Sequence, residues 1–180
     1  MYKPKNFQMI VTVALLLMAA SCSLFEKKVH TPQTFELRIN RPASAAVHFS
    51  VLKDVDTNTE TLQAYADQLN PLTVSSITYT IKNYTGTGDA VVSGDISFAQ
   101  AGSDDFTVLD TFTDLPLRKM EESGQEKTNV LYQSASRKKL AQLLQRGSLI
   151  TLRLNATAAD SNPVAASLLV KIDTERMLAL

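Results

Sequence analysis

The chain has 180 residues, 18 basic and 18 acidic side chains, no tryptophan and one cysteine. That length suits one domain able to bury a core unaided, and the charge balance offers no basic field for nucleic acid. A lone cysteine excludes an internal disulfide and a thiolate metal site, and the absence of Trp removes the indole platforms often used to bind sugars.

Lys3 and Lys5 form a basic start, and no acidic residue precedes Glu26. Met9 to Ala20 then reads MIVTVALLLMAA, with Thr12 its one polar side chain. A helix of that run rises about 18 Å, well short of a hydrocarbon core of roughly 30 Å. Basic start, short apolar run and small residues make a secretory signal peptide over residues 1–21. The following Ala19-Ala20-Ser21-Cys22 resembles the lipobox of bacterial lipoproteins. It departs from the pattern at Ala19, where Leu is usual. The resemblance implies cleavage between Ser21 and Cys22, a diacylglyceryl thioether on Cys22 and acylation of its new amino group. Two or more acyl chains anchor a protein stably where one does not. The resemblance also makes the membrane a partner through the lipid on Cys22. Ser23 is not the aspartate that favours inner-membrane retention in such lipoproteins, so the outer membrane is preferred over the inner.

Residues 22–33 are polar, unpatterned and carry Pro32, which predicts a lipidated tether before a single domain at 34–180. Phe35, Leu37 and Ile39 alternate with Glu36, Arg38 and Asn40, a half-buried strand that Arg41-Pro42 ends. Ala45, Val47, Phe49 and Val51 repeat the alternation. Leu62, Tyr65, Ala66 and Leu69 change the period to that of a helix. Thr57 with Glu60 fits its capping box, and Asn70-Pro71 its end. The expected role of this helix is to plug one end of a sandwich.

Ile77, Tyr79 and Ile81 form a further strand, and Val92, Ile96 and Phe98 another. The turn chemistry of 85–89 between them predicts a hairpin. A weaker strand spans 106–113, and the charged residues 118–128 predict an exposed loop. Ser134 or Ser136 can cap a helix that buries Leu140, Leu143 and Leu144 and stops at Gly147. Strands centred on Leu152 and Leu168 close the chain, with Ala159 to Pro163 as their hairpin turn. The sum is a mainly β fold: a β-sandwich of about seven strands, largely antiparallel, with two short helices.

Chemistry is sparse. His30 and His48 have no carboxylate or second histidine at ligand spacing, so no metal site is expected. Asp104, Asp105, Asp110 and Asp114 invite calcium by number, but the loop spacing of a calcium hand is missing, and solvated strand-edge charges are the preferred reading. Tyr79 belongs to the inward set; Tyr84 stands at a turn, where it either packs the turn or stacks on a ligand. No catalytic residue and no cofactor is expected. The sequence therefore points to a membrane-anchored lipoprotein of the cell envelope with a non-catalytic binding or structural role, its partner an unidentified envelope protein or ligand. A carrier of a lipid or other apolar ligand in a sandwich cavity is the alternative, and a hydrolytic enzyme the least favoured.

Overall fold

The computed structural model describes residues 26–43, 45–63, 71–129 and 135–179. Eight strands are described: β1 (Glu26–Arg41), β2 (His48–Asp56), β3 (Thr73–Gly86), β4 (Val91–Gln100), β5 (Thr107–Pro116), β6 (Lys127–Asn129), β7 (Leu149–Ala158) and β8 (Val164–Ala179). Three helices join them: α1 (Glu60–Gln63), α2 (Leu117–Ser123) and α3 (Ala135–Gln145). One sheet has the order β1-β8-β3-β6 and the other β2-β7-β4-β5, with every pairing antiparallel.

This order defines the architecture. Only β4 and β5 follow one another within a sheet; every other connection crosses between sheets. Eight strands wound this way form a double-sheet jelly roll, the β-sandwich that closes two Greek keys on one core. Inward residues of the two sheets meet in that core. Leu37, Ile77 and Ile81 face Ile96, Phe98 and Leu152, and none of the six is more than 1% exposed. Each such side chain contributes about 1.5–3 kcal/mol by leaving water.

Several expectations are corrected. The fold begins at Glu26, not at residue 34: residues 26–33, expected as tether, pair with residues 172–179 of β8. Their inward positions are the buried polar Thr31 and Gln33, so no apolar alternation betrayed the strand. Pro32 is tolerated there because β1 is an edge strand. The expected hairpins at 85–89 and 159–163 are crossovers between sheets, since β3 and β8 belong to one sheet while β4 and β7 belong to the other. Turn chemistry reverses the chain without choosing its partner. The loop expected at 118–128 contains α2, which buries Leu117 and Met120, and the short β6.

Both of the longer helices end on a left-handed glycine, Gly124 at φ 60° and Gly147 at φ 62°. The amides of Gly124 and Gln125 bond back to Glu121 and Met120, and those of Gly147 and Ser148 to Leu144 and Leu143. This double closure satisfies the last carbonyls, as the sequence predicts at Gly147. At α1 the cap differs. Thr57 donates its hydroxyl to the Ser148 carbonyl at 2.6 Å, and Thr59 takes the place by the Leu62 amide. Leu62 is buried, while Tyr65, Ala66 and Leu69 lie outside the described residues.

Candidate functional site

The sandwich has two unlike ends. One carries the starts of β1 and β3 and the end of β8, together with α1 and α3. The other carries the ends of β1, β3 and β7, and the crossovers that follow these three strands leave from it. Ser21 and Cys22 lie outside the described residues. Because β1 pairs from Glu26 onward, residues 23–25 alone separate Cys22 from the sheet, at most about 14 Å of extended chain from Cys22 to Glu26. From Glu26 to Arg41, β1 rises about 50 Å at its usual 3.3 Å per residue. The crossover end is therefore the end remote from Cys22.

At that remote end Arg41 continues the inward row of Leu37 and Ile39, and like them it is buried, at 2% exposure. Its Nη2 donates to the carbonyl of Asp160 at 2.9 Å and to that of Asn162, tying the β7–β8 crossover to β1. Its Nε and Nη1 are equally buried and meet no acceptor among the described residues. Above it lies a cleft of about 370 Å³, lined by Asn40, Arg41, Thr85, Gly86, Thr87 and Pro163 among others. A Cβ at Gly86 would stand 2.7 Å from the Tyr84 hydroxyl and 3.0 Å from the Pro163 carbonyl, so a larger residue there would have to push Tyr84 aside.

The wall of the cleft is set by a bulge. The register of β3 against β8 shifts between Lys82 and Thr85, where Asn83 takes a φ of 55° that asparagine tolerates better than most residues. Tyr84 is thereby turned over the β3–β4 crossover. Its hydroxyl donates to the Gly88 carbonyl at 2.9 Å and accepts from the Ala90 amide at 3.1 Å. Arg118 stacks on the ring, 5.4 Å from its centroid, and donates to the Gly86 carbonyl at 2.8 Å. Tyr84 packs the turn, one of the two roles open to it from sequence.

The carboxylates nearby are occupied. Asp160 accepts from the amide and side chain of Asn162, Asp89 from the Arg118 amide, and Glu121 from the Tyr84 amide.

A second buried guanidinium stands at the opposite end. Arg176 is 4% exposed and lines a cleft of about 190 Å³ with Lys28, Pro71, Thr73, Glu175 and Met177. Burial pulls its pKa down. Lys28 and Glu175 form an ion pair at the mouth. A third groove, about 270 Å³, separates edge strands β1 and β2 between Glu36, Arg38, Val51, Leu52 and Lys53.

The other residues singled out in the sequence are scattered. Asp105 binds Lys139 at 2.9 Å, and the Asp114 amide binds Ser93. Asp110 accepts from Tyr79 at 2.7 Å across the sandwich, which corrects its reading as a solvated edge charge. Burial, helped by the Asp110 charge, pushes the Tyr79 hydroxyl far above its ordinary pKa. His48 meets Thr157 at 2.6 Å on the outer face of the second sheet, and His30 is exposed on β1. Among the described residues no three His, Cys, Asp or Glu side chains gather in a way that could hold a metal. Among them, too, no helix is long and apolar enough to cross a membrane.

Arg41 was missed in the sequence because Arg41-Pro42 reads as a strand terminator. Its parity with Leu37 and Ile39 is the signal that places it inside.

No family model matches the sequence, and no curated protein does. Among solved structures the chain is similar to the decameric BFDV capsid protein, with 9% identity and a TM-score of 0.40 over 84% of this chain and 98% of that one. Tobacco necrosis virus gives 11% identity and a TM-score of 0.38 over 84% and 82%. The Yersinia pseudotuberculosis-derived mitogen gives 8% and 0.31 over 79% and 86%. Likenesses this slight carry no argument about function.

Proposed function

We propose that the chain is a bacterial envelope lipoprotein, held to a membrane by acyl chains on Cys22, whose jelly roll is a non-catalytic binding or assembly module. The filled interior supports a surface role most directly. The facing rows of the two sheets, from Leu37 and Ile81 to Phe98 and Leu152, are closed to solvent, so the strands enclose packed side chains where a carrier needs space. Ser23 favours the outer membrane as the address. The short link before β1 supports a domain that stands on one end and presents the other.

Two measurements on the full chain test this reading. Wild-type protein is expected to enter the detergent phase on phase partitioning, and Cys22→Ser to stay in the aqueous phase, because a hydroxyl does not replace the thiolate in thioether formation. A mutant that still enters the detergent phase removes the anchor. Native mass spectrometry of Cys22→Ser is expected to give the bare protein mass; a stoichiometric lipid adduct would make the protein a carrier instead.

A further inference from the structure

We propose that the cleft over Arg41 binds a carboxylate or phosphate group of a ligand no larger than its roughly 370 Å³. Arg41 is a permanent cation, and its burial is costly unless paired and fully hydrogen-bonded. Two backbone carbonyls satisfy one of its three nitrogens; the other two have no acceptor among the described residues. Among the described residues no carboxylate accepts from Arg41; Asp160, Asp89 and Glu121 take hydrogen bonds from Asn162, the Arg118 amide and the Tyr84 amide instead. Among the described residues no acidic side chain lines the cleft; besides Arg41 its polar groups are hydroxyls, an amide side chain and backbone. A buried positive charge beside a neutral, low-dielectric wall concentrates its field into the opening.

The cleft is also accessible from the right side. Thr85 and Thr87 at its rim are exposed, and their hydroxyls can donate to an oxyanion. Arg118, which holds the Gly86 carbonyl, adds a second cation behind the floor. The Arg176 cleft is the weaker case, since Glu175 and its ion pair with Lys28 stand in its mouth.

This inference deepens the binding-module reading by naming the chemistry of the ligand. In that reading the cleft faces away from the anchoring membrane, so the anion comes from something other than the lipids around Cys22.

The test is titration of the full-length protein in neutral detergent micelles with sodium phosphate and with sodium acetate at constant ionic strength, followed by NMR at the amides of Thr85, Gly86 and Thr87. Saturable shifts at these amides are expected with at least one of the anions, and the one that saturates identifies the ligand group. Arg41→Met, which keeps the aliphatic stem without the charge, is expected to abolish saturation. Thr87→Glu, a change on an exposed rim residue, is expected to weaken binding roughly tenfold or more through like-charge repulsion. The proposal is overturned if neither anion gives saturable shifts, or if Thr87→Glu binds as wild type does. Wild-type affinity in a folded Arg41→Met would overturn it equally. Failure here leaves detergent partitioning untouched, so the two readings fail separately.

Discussion

The connections after β1, β3, β5 and β7 turn the chain at one end of the sandwich, while those after β2, β4 and β6 do so at the other. At the first end the short connections are held by polar ties, Arg41 to the carbonyls of 160 and 162, Tyr84 to 88 and 90, Arg118 to 86, beside α2 with its buried Leu117 and Met120. The long connections carry their own lids. Leu62, Leu72, Leu140, Leu143 and Leu144 are buried there and seal the core. Hydrophobic closure leaves little for a ligand to do, whereas closure by polar ties leaves charge and hydrogen-bond donors at the surface. The two ends differ in the balance between apolar lids and polar ties.

Truncating one lid residue should give the largest effect. Leu144→Ala removes a side chain with no exposure and is expected to cost about 2–5 kcal/mol, read as a lowered denaturant midpoint. Tyr84→Phe at the other end deletes one hydroxyl and leaves the Ala90 amide without its acceptor, for about 1–2 kcal/mol by the same measurement. If the order of these two costs were reversed, polar ties would dominate and the contrast between the ends would fail.

The smallest effect belongs to neither end. The Glu36 carboxyl is held below its ordinary value by the Ser167 hydroxyl at 2.6 Å and then by Arg38. A depressed carboxyl contributes stability that is full above the ordinary value of 4.5 and is lost as pH falls through the folded value. Ser167→Ala should move the Glu36 titration up toward 4.5, seen by carboxyl NMR, and leave the Tyr84 and Leu144 results unchanged.

How much of this was legible in the sequence follows from which signals are local. Alternation in β2, β3, β7 and the second half of β1 announces strands because one face of each is buried in the common core. Leu140, Leu143, Leu144 and Gly147 announce α3 and its end. Pairing is a different matter. Strands that share a core show the same alternation whether they lie side by side or face to face, so the crossovers after β3 and β7 looked like hairpins. The first half of β1 was hidden because Thr31 and Gln33 occupy its inward positions. Its edge pairs only with β8, which no residue of β1 specifies alone. Cys22 lies outside the described residues, and its proposed acylation rests on the resemblance of residues 19–22 to a lipobox. Arg41 was hidden by the proline after it.

The orientation of the domain on the membrane to which we propose it is anchored is the most direct test. Cys22 is the one cysteine of the chain, so once it is acylated a cysteine placed elsewhere takes a dye selectively. Lipidated Glu60→Cys and Thr87→Cys, dye-labelled and reconstituted in vesicles bearing acceptor dyes on the lipid headgroups, report the two ends by energy transfer. Glu60 begins α1 at the end near Cys22, and Thr87 lies at the crossover end, about 50 Å along β1. The account predicts strong transfer from position 60 and weak transfer from position 87. Equal transfer from both positions, or stronger transfer from 87, would contradict it.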